Sequence, residues 1–483
     1  MARLQQTRDD HRTLQIVRLI DFLFSACYRG AWHEPRGLRL TTAQTVEPLT
    51  RKQRKMIAGG AIGTLMEYYD YYLYGLASAA VFPTVYFQSK SLAVAQLASF
   101  ATFAVGFLLR PLGGIIWGIV GDRVGRKAVL MITVVGMGLA TAGIGVIPPA
   151  ASIGIAAPIL LLICRMFQGF FVGGEMGGAA TMVIEHSPPR RHGFYGAFLI
   201  SGAGIANVGS AGLMAALGAG STSWFMTWGW RIPFLLGLVL AVIAIILRRH
   251  LEESDDFKEV QQTQQRTGKK LNPLVEVFRH PKNAILGILI GLPQSIAGYV
   301  VLTYAISFLV SKGVPAQYGI IGTLLVGACQ VFVAPTWGLI SDKVGRRQVY
   351  IFGCIAFAAL VYPTFLLYST GNFWMVVLGM IIGFVIPGVA MQATLQTMLV
   401  EMFDPEARTT GVNLGYQLSN TVGGGLAPAI CVALVSWAGG QFWPVVVYSA
   451  AICAIGAIAT ATATFSRDGQ RLHALRGAES LGD

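Results

Sequence analysis

Gly118-Ile119-Val120-Gly121-Asp122-Arg123-Val124-Gly125-Arg126-Lys127 and Gly338-Leu339-Ile340-Ser341-Asp342-Lys343-Val344-Gly345-Arg346-Arg347 are two copies of one pattern in opposite halves of the chain. Each copy ends one long apolar run and opens another, so the halves read as parallel repeats of a single unit. A second echo links Glu185 to Arg191 in the first half with Glu401 to Arg408 in the second.

Outward from these loops the chain is almost all apolar. A helix crosses a bilayer core of about 30 Å with roughly 20 mostly apolar residues. Such runs fall at 56–86, 92–120, 128–148, 153–184, 193–219, 229–248, 284–311, 317–340, 348–369, 372–400, 410–438 and 442–465. The expected fold class is therefore an all-α membrane protein of twelve transmembrane helices in two six-helix halves. Residues 56–248 form the first half and 284–465 the second. The polar stretch 249–283 connects them, and 1–55 and 466–483 flank them. Of 483 residues, 54% are apolar and 12% charged, which excludes an ordinary soluble domain. Fifty-eight glycines suit close helix packing in lipid, where small residues let backbones approach.

The net charge of +13 does not indicate nucleic acid, because its basic residues sit in inter-helix loops and tails. Arg123, Arg126, Lys127, Arg190, Arg191, Lys343, Arg346, Arg347 and Arg408 follow even-numbered helices, while the opposite loops hold little beyond Lys90 and Lys312. By the positive-inside rule both termini are expected in the cytoplasm. Six scattered cysteines give neither a disulfide framework nor a zinc site. Within residues 1–50, Arg18, Asp21, Ser25 and Arg29 share one helical face, a pattern that suits either an interfacial helix or a poorly ordered appendage.

The paired Asp-Arg/Lys loops resemble those of the major facilitator superfamily. Glu67-Tyr-Tyr-Asp70 with Tyr74-Gly75, Arg110-Pro-Leu-Gly-Gly114, Gly173-Gly-Glu175-Met-Gly-Gly178 and Trp228-Gly-Trp-Arg-Ile-Pro233 are similar to the metabolite:proton symporter family within it. That resemblance spans roughly residues 55–465. It implies a bacterial inner-membrane carrier of compounds such as proline, betaine, 2-oxoglutarate, citrate or shikimate. The chain departs from the family pattern at Tyr68 and Met176, where Trp is frequent, and at His192, where Arg is more usual.

An ionisable group inside a bilayer costs several kcal/mol and needs a partner or a wet cavity. Counted from the cytoplasmic ends at about 1.5 Å per residue, Glu67 and Asp70 lie roughly 17–21 Å deep, Arg110 roughly 18 Å and Glu175 roughly 15 Å. Glu67 and Asp70, three residues apart, share a helix face with Tyr71 and Tyr74 adjoining. Two carboxylates so close in a low dielectric do not both ionise easily, so the pair is expected to hold the coupled proton. Arg110 is then either its counter-ion or the anchor of a substrate carboxylate. Arg165, about 30 Å from the cytoplasmic end by the same rise, is expected toward the outer face. With Gln168 and Gly169 it resembles the superfamily's Arg-x-x-Gln-Gly motif, a second proton-coupling candidate. Helices 7–12 carry no charge in their interiors. They are expected to supply neutral groups to substrate, chiefly Gln294, Tyr304, Gln392, Tyr416 and Asn420, opposite Arg110, Tyr71 and Tyr74. The loop residues Asp122, Arg123, Arg126, Lys127, Glu185, Arg191, Asp342, Lys343, Arg346 and Arg347 are expected to act as latches, with each Asp capping a neighbouring helix or pairing with Arg.

No phosphate-cradling Gly-x-x-x-x-Gly-Lys loop, nucleophile elbow or His/Cys metal spacing occurs, which argues against an ATP-driven pump and against an enzyme, and implies no cofactor or metal. The expected partners are a small metabolite, protons and the bilayer, with the chain acting as a monomer. Proton-coupled uptake of an organic anion or zwitterion is the favoured reading. An exporter or a non-transporting sensor is the alternative.

Overall fold

A computed structural model describes residues 51–463 apart from 88, 90, 125, 174, 176–179, 182, 185–186, 249–280 and 404–407; at 51–62, 118–119, 121–124, 126–128, 130, 189, 247–248 and 409 it describes the backbone alone. The stretches 1–50, 249–280 and 464–483, the side chains of Asp122, Arg123, Arg126 and Lys127, and Glu185 therefore lie outside the described residues.

Lipid leaves backbone polar groups no partner but each other, so apolar runs must close their hydrogen bonds within helices. Twelve long helices do so among the described residues: α1 (Arg51–Ala80), α2 (Leu92–Trp117), α3 (Arg126–Val146), α4 (Ala156–Val172), α5 (His192–Gly218), α6 (Thr222–Ile246), α7 (Pro281–Ser311), α8 (Ala316–Val344), α9 (Arg346–Ser369), α10 (Phe373–Met402), α11 (Thr410–Trp437) and α12 (Trp443–Thr462). Apolar side chains such as Leu139, Val239, Ile355 and Ile458 face outward, and polar ones such as Gln168, Asn207 and Gln330 face inward. That inversion is what a lipid solvent selects. In the second copy of the repeated loop, Gly345 takes φ +109°, a conformation open to glycine, and lets the chain turn from α8 into α9.

The halves meet through helices from each. Asn207 Nδ2 of α5 donates to the Thr323 carbonyl of α8 at 3.2 Å, and Ser201 Oγ donates to that of Val331 at 3.0 Å. Gln96 of α2 reaches the Ser307 carbonyl of α7 at 3.3 Å. Three helices near this seam widen into a π turn, α7 at Tyr299–Tyr304, α10 at Ile381–Val385 and α11 at Asn420–Gly425. Such turns concentrate at functional sites.

Helix 4 corrects the sequence reading. The apolar run 153–184 is not one helix, because α4 stops at Val172 and Gly173 turns extended (φ −60°, ψ 104°). Within α4, Gly169 crosses Gly106 of α2 so closely that a side chain there would strike the Gly106 carbonyl. Overpacking that the core cannot absorb costs about 1–3 kcal/mol or more. Gly169→Val should therefore lower the folded yield several-fold, read as the monodisperse fraction on size-exclusion chromatography.

Candidate functional site

Arg110 follows the pause in α2 at Leu109. Pro111 has no N–H for the Phe107 carbonyl four residues back, and the Thr421 hydroxyl of α11 approaches that carbonyl at 2.9 Å instead. The break aims Arg110 at α1, where its Nη1 donates to Glu67 Oε1 at 2.8 Å. Its guanidinium lies 4.3 Å from the Phe107 ring centroid. Both residues are buried, yet Glu67 Oε2 and Arg110 Nε make no hydrogen bond. Glu175 and Asp70 add negative potential at Glu67.

Asp70 has a separate set of partners. Arg165 Nη1 of α4 donates to its Oδ2 at 3.1 Å, the Thr141 hydroxyl of α3 lies 2.7 Å from its Oδ1, and Gln168 Nε2 also donates to Oδ1. The Arg165 guanidinium stacks 4.1 Å from the Tyr74 centroid, and the residue is 1% exposed. One expectation changes here. Glu67 and Asp70 do not share a site, since each carries its own arginine. Arg165 lies buried against Asp70.

Between the halves lies a small cavity of about 20 Å³ walled by Glu67, Arg110, Tyr68 and Tyr71 from the first half, and by Gln294, Ser295, Gly298, Tyr299, Gln392, Tyr416 and Asn420 from the second. All of these are buried, so the space is occluded. Tyr68 and Tyr416 bridge it through their hydroxyls at 2.8 Å. Gln294 Oε1 is buried without a partner, and Gln392 Oε1 accepts from Gln330 at 2.7 Å. Six of the eight expected substrate residues stand in this wall. Tyr74 does not; it bonds Thr102 and lies under Arg165. Tyr304 packs among Phe308 and Phe365 instead. Tyr68 and Ser295 were not expected in the wall; Tyr68 follows Glu67 and Ser295 follows Gln294, so their neighbours were the available signal.

At one end of the bundle the second loop spans both halves. Asp342 accepts from the backbone N–H groups of Gly193 and Phe194, each at 2.9 Å, and so caps α5 of the other half. Arg346 pairs with Asp342 at 3.2 Å and with Glu401 at 2.7 Å. Arg347 donates to the Ala463 carbonyl at 2.6 Å, beyond the end of α12. Lys343 is exposed and Arg191 half-buried.

Two six-helix halves closing on a buried, charged and aromatic space, with ionic contacts between them at one end, make a carrier rather than an enzyme. The family model for "Sugar (and other) transporter" matches residues 56–472, and the chain belongs to that family, within the major facilitator superfamily. It is 38% identical over 424 residues to the shikimate transporter of Escherichia coli (strain K12), covering 87% of this chain and 96% of that one. It is 36% identical over 394 residues to the proline/betaine transporter of Salmonella typhimurium (strain LT2), covering 80% and 78%. Among solved structures, the fold matches a D-xylose-proton symporter with TM-score 0.66 at 19% identity, over 86% of this chain and 98% of that one.

Proposed function

We propose that the chain is a proton-coupled symporter that takes up a small carboxylate-bearing metabolite across a bacterial inner membrane, both termini cytoplasmic. Residues 56–248 and 284–465 rock about the central space as two bodies. The observation that carries this reading is the half-satisfied Glu67–Arg110 pair in the wall of that space. Glu67 and a substrate carboxylate compete for one guanidinium. A proton on Glu67 frees Arg110 for the substrate; without it, Glu67 keeps Arg110 and the anion is refused. In either loaded or empty form Arg110 faces one carboxylate, so the buried charge stays compensated as the halves move. Proton and substrate thus favour each other's binding, which is the coupling a symporter needs.

Asp70, Arg165 and Gln168 form a fixed brace behind this pair. Shikimate, proline and betaine, named in the two curated relatives, each carry a carboxylate, which supports the substrate class.

The test is proton flux in proteoliposomes with a pH-sensitive dye, adding shikimate, proline, glycine betaine and simple carboxylates one at a time. External alkalinisation on one compound is expected. Silence across the panel from folded protein would point to export or sensing. With the active compound, Glu67→Gln should keep exchange of labelled substrate and lose at least tenfold of proton-driven accumulation. If Asp70→Asn does this and Glu67→Gln does not, the proton belongs to Asp70.

A further inference from the structure

Resting on the carboxylate-uptake reading, we infer that the second half reads hydroxyl groups: the substrate is a hydroxylated carboxylate rather than a zwitterion, and Gln294 is the residue that selects it. The cavity wall leaves polar atoms without partners at two ends. On the first-half side these are Glu67 Oε2 and Arg110 Nε, and across from them it is Gln294 Oε1 of α7. Gln294 is 5% exposed, and a buried polar group left unbonded costs about 1–3 kcal/mol. A ligand that bonds it recovers that cost.

The neighbours of Gln294 in the wall are already engaged. Ser295 Oγ donates to Asn420 Oδ1 at 3.1 Å, and Asn420 Nδ2 donates to the Tyr416 carbonyl at 2.9 Å. Gln392 Oε1 accepts from Gln330 Nε2 at 2.7 Å, and Gln330, fully buried behind the wall, acts as its positioning residue. Gln294 is therefore the group in the second-half wall with polar capacity to offer. A hydroxyl both donates and accepts, so it satisfies the carboxamide whichever way that group is turned. A trimethylammonium does neither.

Charge and ring packing point the same way. Among the described residues the cavity lining carries one carboxylate, Glu67, and one guanidinium, Arg110. With a proton on Glu67 and the substrate carboxylate on Arg110, the lining keeps no anion to face an ammonium. Proline's ammonium has N–H groups for Gln294, but it brings a buried charge without a counter-ion. Open aromatic faces can hold a quaternary ammonium instead. Here the rings cover one another: Tyr71 meets Tyr299 edge-on with centroids 4.8 Å apart, Tyr299 meets Phe103 and Phe107 at 5.5 and 5.7 Å, and the Arg110 guanidinium covers Phe107.

The test is calorimetric binding to the full chain in nanodiscs at pH 5.5. The ligands are two pairs of acids that differ in their hydroxyls, shikimate against cyclohexenecarboxylate and gluconate against hexanoate, with acetate, proline and glycine betaine beside them. In at least one pair the hydroxylated acid should bind about tenfold tighter or more, the value of one or more new hydrogen bonds. Glycine betaine should bind no better than acetate. Gln294→Leu should remove roughly tenfold of the hydroxyl preference and leave the bare acids within about twofold, a ratio that a folding defect does not move. Equal binding within both pairs, or tighter binding of betaine or proline, overturns the inference and leaves carboxylate uptake standing. A Gln294→Leu variant that keeps the full preference overturns the role of Gln294, and no binding by any acid overturns both readings. Tight binding of a hydroxylated acid without proton flux refutes symport alone.

Discussion

Replacing Arg165 with leucine should destabilise the protein by about 3–5 kcal/mol, the usual cost of leaving one member of a buried ion pair alone. Arg165 and Asp70 are 1% and 2% exposed, and no solvent path relieves an orphaned carboxylate there. Arg165 also packs against Tyr74, Phe103 and Phe107, with its guanidinium 4.1, 5.1 and 5.6 Å from their centroids, so its loss removes packing as well as charge. Asp70→Asn combined with Arg165→Leu should recover part of the loss, since asparagine still accepts from Thr141 and Gln168 without a charge to compensate. Thermal unfolding in detergent measures both. A single mutant as stable as wild type would show that Asp70 is protonated at rest, and would move the coupled proton from Glu67 to Asp70.

The architecture was legible because lipid imposes it. Twelve apolar runs, the placement of the doubled Asp-Arg/Lys loop between them and the uncharged interiors of the second half's runs each follow from the cost of polar groups in hydrocarbon. Asp342 caps a helix and pairs with arginine, and the helix belongs to the other half. What the sequence hid was direction. Spacing by three places Glu67 and Asp70 on one face but about 60° apart around the axis, enough for one to reach Arg110 on α2 and the other to reach α3 and α4. Hydropathy does not register the break at Gly173 either, because glycine continues an apolar run while ending a helix. Tyr74 and Tyr304 mislead for another reason: tyrosine serves equally as packing and as a ligand group, and only neighbours decide.

Arg110→Lys should lower substrate exchange at least a hundredfold while leaving folding near wild type. Lysine keeps the positive charge, so Glu67 retains a counter-ion and the buried wall stays compensated. What it lacks is the fork. A guanidinium presents several fixed donors and can pass from Glu67 to an incoming carboxylate with two parallel hydrogen bonds, and it lies over the Phe107 ring. An ammonium is one point charge that serves a single carboxylate at a time and holds its hydration strongly. The measurement is counterflow of the labelled compound that scores in the dye assay, with size-exclusion profiles confirming equal folding. Counterflow needs no proton gradient, so a loss there reports on substrate binding rather than on coupling. Wild-type counterflow in Arg110→Lys would show that Arg110 serves only as a charge for Glu67, and the substrate carboxylate would then have to be held by the neutral donors of the second half.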